Sequence, residues 1–180
     1  AAEGGETHDV CLFIVKNPYP TGEKLRMLSS VDGSSYSNTH AKYHKVLSDF
    51  VERFGYYDLF IIDSETGNIV YTAYKEIDFT SSLGEGPLKH TNLAEAFESV
   101  RNTKSDTVFK LVDYKPYHPS YNAHASFIAT GIFENGKQIG VLAFQMPVDR
   151  INDIMTNSEH WEKVGLGKSG ETYLVGEDMT

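Results

Sequence analysis

The chain has 180 residues, enough for one sizeable core, and its 16 Lys and Arg against 25 Asp and Glu leave a formal net charge of -9. Such a surface repels nucleic acid and anionic lipid, and no basic cluster overrides it, so no nucleic-acid partner is expected. Cys11 is the only cysteine, which rules out an intramolecular disulfide or a cysteine-rich zinc site.

The opening AAEGGETHDV is polar and lacks the basic start and apolar stretch of a secretion signal. No run of ~18 apolar residues supplies a membrane span, as would hold equally for a segment cut from a larger membrane protein. Residues 11 to 37 set a short apolar run, Cys11 to Val15, against turn chemistry at Asn17-Pro18, Tyr19-Pro20, Thr21-Gly22 and Asp32-Gly33-Ser34-Ser35. They read as a helix end followed by ordered loop. Tyr43, Val46, Leu47, Phe50, Val51 and Phe54 then fall at i, i+3, i+4, i+7, i+8 and i+11, the apolar stripe of an amphipathic helix. Ser37 or Asn38 caps its start and Gly55 ends it.

DLFIID (58–63) and NIVYTAY (68–74) read as strands joined by a polar SETG turn. FTSSLGEGPLKHTN is loop, and LAEAFESVR (93–101) is a short helix with a Thr91/Asn92 cap. TVFKLVDY (107–114) is the third strand, after which two prolines in KPYHPSYN break the pattern. HASFIATGIF (124–133) and KQIGVLAFQM (137–146) flank Asn135-Gly136, a strong hairpin signal. VDRINDIMTNSEHWEKV (148–164) is a closing helix, and ETYLV (171–175) looks like one more strand. Hairpin connections make the sheet antiparallel, with helices expected on one face: an α+β fold rather than a doubly wound one.

Three motifs invite chemistry. GLGKSGETYLVG contains G-x-G-x-x-G at Gly165, Gly167 and Gly170, but a dinucleotide fingerprint needs a strand before and a helix after. Here the order is inverted, and a P-loop would need glycine where Glu162 stands, so the stretch reads as a helix-ending joint. HAKYH places His40 and His44 four residues apart, a metal-binding spacing, yet no third ligand follows from sequence. Opposite the Tyr43/Leu47 stripe they read as solvated. No nucleophile motif is present, and no carboxylate pair stands out from the acidic background, so neither catalytic residues, metal nor cofactor is expected.

The tyrosines crowd into YTAYKEIDF and VDYKPYHPSYNAHA. By strand alternation Tyr71, Ala73 and Lys75 share a face, as do Phe109, Leu111 and Asp113, and Val141, Ala143 and Gln145. A polar group ending each apolar row suits a small-molecule pocket over a sheet, with Tyr117 and Tyr121 on a proline-bounded lid. The same pattern suits wet strand ends with tyrosines reaching the surface.

The string NPYPTGEK…DGSSYSNTHAKYH…FGYYDLFIIDSETGNIVYTAYKEIDF…TNLAEAF resembles the extracytoplasmic sensor region of bacterial methyl-accepting chemotaxis proteins. The likeness continues through PSYNAHASFIATGIFENGKQIGVLAFQMPVDRINDIM to GLGKSGETYLVGED and covers the chain from about residue 17. Related segments sit on membrane-bound nucleotide cyclases and other signalling receptors. The resemblance implies a PAS-like Cache fold, an antiparallel sheet packed on a long N-terminal helix, as the first module of a double-Cache domain. It divides the chain into an N-terminal segment and long helix (1–57), a Cache module (58–147), and an exit helix with the start of a second module (148–180). It implies a periplasmic, ligand-sensing domain of an inner-membrane chemoreceptor, this segment itself soluble. A small ligand is then expected at Tyr71, Lys75, Asp113, Tyr117, Tyr121 and Gln145, Lys75 meeting an anionic group and Asp113 a cation or hydroxyl. Alternatively Lys75 and Asp113 pair with each other and the site is structural. The aromatic and arginine signature of many amino-acid sensors is absent from the strand-flanking helix; Arg53 lies on the long helix instead. A homodimer along the long helix is expected if its stripe is not used by the sheet. The alternatives are the sensor of a nucleotide cyclase or histidine kinase, a metal-dependent hydrolase using His40, His44 and His118 or His124, and a structural module contacting a periplasmic protein.

Overall fold

Ser34 opens the long helix. Its backbone is extended and its Oγ accepts the Ser37 N–H at 3.0 Å, so α1 runs Ser35–Phe54. The cap therefore lies upstream of the expected Ser37 or Asn38, which both fall inside the first turns. Gly55, left-handed at φ 71, closes the helix as expected. The computed structural model describes residues 11–165 together with 167, 170, 172, 173, 175 and 176.

After α1 come β1 (Asp58–Asp63), β2 (Ile69–Thr72), α2 (Asn92–Val100), β3 (Phe109–Tyr117), β4 (Ala123–Glu134), β5 (Lys137–Pro147) and α3 (Val148–Thr156). Among the described residues the strands form one antiparallel sheet in the order β2-β1-β5-β4-β3. This is the α+β, PAS-like arrangement expected from the sequence. The β4–β5 turn is Asn135-Gly136 with φ 50 and 78, left-handed at both positions as a tight hairpin requires. β3 runs three residues past its expected end and includes Pro116. It is an edge strand, where a missing N–H costs no ladder bond, and its register slips between Val112 and Lys115.

Helices cover both faces, which corrects the one-sided expectation. Phe60, Ile62, Val141, Ala143, Phe127 and Ala129 pack under α2 with Leu93, Ala96, Phe97 and Val100. On the other face Leu59 and Tyr71 pack with Val51 and Leu47 of α1 and with Phe144. Alternate residues of β1 thus serve two cores, and DLFIID reads as a near-continuous apolar run for that reason.

The stripe on α1 is not its buried face. Ser37, His40, His44, Ser48 and Val51 are buried, whereas Tyr43, Val46, Phe50 and Phe54 are 49, 69, 39 and 58% exposed. Leu47 and Phe50 sit at the boundary, Phe50 reaching the Phe144 ring at 5.5 Å. α3 is shorter than expected because Asn157, Ser158 and Glu159 all take positive φ, and a separate turn covers Trp161–Val164. Gly165 caps that turn at φ 91, in keeping with a glycine joint. Lys168, Ser169, Glu171 and Leu174 lie outside the described residues, and with them the strand expected over 171–175. No helix among the described residues is long and apolar enough to cross a membrane.

Candidate functional site

β1 and β5 end at one corner of the sheet. Asp58 lies opposite Gln145 in the ladder, on the α2 side, one step beyond the apolar pair Phe60 and Ala143. The apolar rows thus finish in polar groups that are nonetheless buried. The chain leaving β2 folds over this corner as far as Phe79, helped by Lys75 in a left-handed conformation at φ 56. The short turn His118–Ser120 after β3 closes it from the far side.

Three buried carboxyls meet here. Asp58 Oδ1 accepts the backbone N–H of Leu59, Ala73 and Tyr74 at 2.7, 2.8 and 3.1 Å. Glu76 Oε1 accepts the Tyr57 O–H at 2.7 Å, and its Oε2 accepts the Ser120 O–H at 2.9 Å. Asp78 Oδ2 accepts the Tyr117 O–H at 2.9 Å. Ser120 Oγ also receives the Gln145 amide at 3.1 Å, so Glu76, Ser120 and Gln145 form one chain of hydrogen bonds. Asp58 Oδ2 and Asp78 Oδ1 are buried with no hydrogen-bond partner among the described residues.

Burial disfavours the charged form of all three acids. Burial, reinforced by the Asp78 charge, holds Asp58 well above the usual carboxylate range. Burial and the Glu76 charge push Asp78 up to about 7. Glu76 is raised by burial, against the pull of its Tyr57 and Ser120 hydrogen bonds. Tyr117 is raised by burial and then by Asp78, so it remains an O–H donor.

Outside the cluster lies a cavity of about 350 Å³. Its walls include Lys24 from the N-terminal segment, the run Tyr74 to Ile77, and His118, Tyr121 and Asn122. Tyr57 and Tyr74 stack at 5.1 Å beside Glu76, which belongs to both the cavity wall and the acid cluster. A second groove of about 480 Å³ runs between α1 and β1–β2, past Tyr36, Tyr43, Val46, Ile61 and Val70. It is almost wholly apolar and lacks the convergent polar groups that orient a small ligand.

The six residues expected at the site are distributed unevenly. Tyr117 and Gln145 are in the buried network, and Lys75 and Tyr121 line the cavity. The Lys75 side chain is buried, donating to the Thr72 carbonyl with its ammonium 4.0 Å from the Tyr71 ring centre and 4.9 Å from that of Phe79. Tyr71 faces α1 rather than the cavity, its O–H 2.7 Å from His44 Nδ1. Asp113 lies on the exposed face of β3 with its carboxylate turned onto the Tyr114 N–H, so it does not form the pair considered with Lys75. Asp58, Glu76 and Asp78 were not distinguished in the sequence.

His40 and His44 are buried, correcting their assignment to solvent. His44 Nε2 meets the Leu25 carbonyl at 2.6 Å, His40 Nδ1 meets that of Leu28 at 3.2 Å, and the rings stack at 4.1 Å. Burial first, then the Lys75 charge, lowers both below the ordinary histidine range, His44 to about 4. His118 and His124 are exposed elsewhere. Among the described residues, no group of three or more His, Cys, Asp or Glu is arranged to hold a metal ion.

No protein-family model matches this chain, and no curated protein matches it. Solved structures similar to it include sensor domains of histidine kinases and chemoreceptors. The sensor domain of the V. cholerae histidine kinase DctB is 11% identical at TM-score 0.46, over 84% of this chain and 57% of that one. The E. coli DcuS sensor domain is 13% identical at TM-score 0.46, over 86% and 96%. The ligand-binding domain of the Campylobacter jejuni chemoreceptor Tlp3, in complex with 4-methylisoleucine, is 12% identical at TM-score 0.46, over 84% and 53%. The chain thus spans little more than half of the first and last of these.

Proposed function

We propose that this chain is the ligand-sensing module of a transmembrane chemoreceptor and binds a small molecule in the cavity beside Glu76. The supporting observation is the cavity's construction: a space of about 350 Å³ whose wall residue Glu76 is hydrogen-bonded to Tyr57 and Ser120, and through Ser120 to Gln145, with the buried Asp58 and Asp78 close enough to feel its charge. Ligand sites typically measure ~300–1,000 Å³ and combine apolar walls with a few placed polar groups. Buried polar clusters are costly to the fold, and a ligand that completes their hydrogen bonds offsets that cost. The module is placed by this reading on the outer side of a bacterial inner membrane, and the same geometry would serve a histidine kinase or a cyclase.

The signal is a population shift. The run that carries Lys75, Glu76 and Asp78 lies between the cavity and α1, which it meets through Tyr71 and His44. α3 leaves the sheet directly from β5, and its Arg150 lies against the Gly55 joint at the end of α1. Ligand-dependent movement of that run is therefore felt where the entry and exit helices meet. The exposed stripe Tyr43, Val46, Phe50 and Phe54 is offered to a second copy of the module.

A thermal-shift screen of amines, amino acids, organic acids and purines tests the reading. A binder at a hundredfold excess over Kd stabilises by ~2.7 kcal/mol, a shift of several degrees for a domain of this size. Substituting a cavity residue, Tyr74→Ala or Tyr121→Ala, is expected to reduce that shift. If no compound in the screen raises the melting temperature, the module does not sense small molecules directly.

A further inference from the structure

We propose that a cleft at the other end of the sheet is a second ligand site, one that takes a small polyanion bearing phosphoryl or several carboxylate groups. It is separate from the sensing cavity and does not rest on the sensor reading.

The cleft measures about 750 Å³ and lies where three connections meet. These are the β1–β2 turn at Ser64 and Glu65, the chain just after α2 from Arg101 to Lys104, and the β4–β5 hairpin with Phe133, Lys137 and Gln138. In the β1–β5 ladder Asp58 pairs with Gln145 at the acid corner and Asp63 with Gly140 at this end, so the two cavities stand at opposite ends of the same strands. Cross-links hold the three connections together. The Gln138 amide donates to the Val100 carbonyl at 2.9 Å, the Ser64 hydroxyl to the Gln138 carbonyl at 3.4 Å, and the Arg101 guanidinium to the Glu65 carbonyl at 3.3 Å. The walls are therefore preformed, and a ligand does not have to order them.

Charge selects the class of ligand. Arg101, Lys104 and Lys137 line the cleft against a single acid, Glu65, although the chain carries a net charge of -9. No stretch of sequence displays this cluster, because the fold brings Lys137 to the other two. The fold also leaves much of the positive charge unanswered. Among the described residues Arg101 commits one N–H to Glu98 at 2.8 Å and one to the Glu65 carbonyl, and its guanidinium is held over the Phe97 ring at 5.1 Å. The rest of its fork is available to an oxyanion. Lys104 has no hydrogen bond or ion pair among the described residues. Lys137 meets Glu65 at 3.0 Å, but both side chains are about three-quarters exposed, and such a pair yields readily to a better anion. The cations come from the end of α2 and from the hairpin, so a ligand with two or more negative groups bridges both sides where a lone carboxylate serves one. A polymer is disfavoured: Glu98, bonded to Arg101, and Glu134, opposite Lys137 in the hairpin, repel an anionic chain that continues past the cleft.

The test is calorimetric titration of the protein at pH 7 and low salt with pyrophosphate and with citrate, acetate serving as the singly charged control. At least one polyanion is expected to bind about tenfold or more tightly than acetate, and to weaken as sodium chloride is added. Binding of pyrophosphate alone assigns a phosphoryl ligand, of citrate alone a polycarboxylate, and of both a site read by charge. Lys104→Gln is expected to weaken that binding about threefold or more without moving the melting temperature of the free protein, since Lys104 holds nothing in the fold. Lys42→Gln removes the same charge from α1 and should leave the affinity unchanged. The proposal is overturned if neither polyanion outbinds acetate, if Lys104→Gln has no effect, or if Lys42→Gln weakens binding as much. Tyr121→Ala, in the sensing cavity, should leave polyanion binding intact, so this site and the sensor reading stand or fall separately.

Discussion

At the level of single residues, His44 shows how the fold fixes a protonation state by geometry. The Leu25 carbonyl can only accept, so Nε2 carries a proton, and because burial keeps the ring neutral, Nδ1 accepts from the Tyr71 O–H. The ring is therefore fully satisfied where burial leaves little alternative. Tyr71→Phe removes one donor and strands a buried acceptor, for an expected loss of about 1–3 kcal/mol in denaturant unfolding. An unchanged unfolding midpoint would mean that water replaces the hydroxyl and that the pairing is dispensable. The spacing of His40 and His44 on one helical face was legible in HAKYH. Their burial was not, because the groups that satisfy them lie 12 to 27 residues away in sequence, beyond any local pattern.

At the level of elements, existence and type were the legible part. Period 3.6 gave α1, helix-forming residues behind the Thr91/Asn92 cap gave α2, β-branched and aromatic content gave β1 and β2, and Asn135-Gly136 gave the hairpin that sets the β4–β5 register. The orientation of α1 was misread for a physical reason. Hydrophobicity marks a face that wants burial without saying against what, and this helix buries His40 and His44 because the Leu25 and Leu28 carbonyls and the Tyr71 hydroxyl meet them, while Ser48 donates back to the Lys45 carbonyl. Two expectations follow. Ser34→Ala removes the cap on the Ser37 N–H and costs about 1 kcal/mol, read as a lower midpoint in a thermal melt. The exposed stripe is expected to join two copies, so Tyr43→Glu with Val46→Glu should halve the mass seen by light scattering without lowering the melting temperature of the monomer. A parent protein that is monomeric at every concentration tested would leave that stripe without this role.

For the whole molecule, the corner that gathers Asp58, Glu76, Asp78, Tyr117, Ser120 and Gln145 joins stretches that no window of sequence contains. Looking for a polar group at the end of an apolar strand led to Gln145, and the lid-like prolines led to Tyr117. The acids stayed hidden among 25 carboxylates because nothing local distinguishes a buried Asp from a solvated one. Their burial, with that of the histidines, makes stability depend on pH through two opposed gradients. His44 binds its proton at about 4 in the fold against 6.5 ordinarily, so its contribution is complete above pH 6.5 and fades as the pH falls toward 4. That gradient is worth on the order of 3 kcal/mol. Asp78 keeps its proton to about 7 in the fold against 3.8 ordinarily, so stability falls as the pH rises between those values, by on the order of 4 kcal/mol. His40, lowered for the same reasons, adds to the first gradient, and Asp58 and Glu76, both raised, add to the second, so the parent profile is the balance of five groups. Asp78→Asn removes the second gradient while keeping an acceptor for the Tyr117 hydroxyl. Its midpoint in urea should match the parent near pH 4 and rise above it progressively toward pH 7, the difference between the two curves reporting Asp78. A variant less stable than the parent at pH 7 would mean that the Asp78 charge is compensated in the fold.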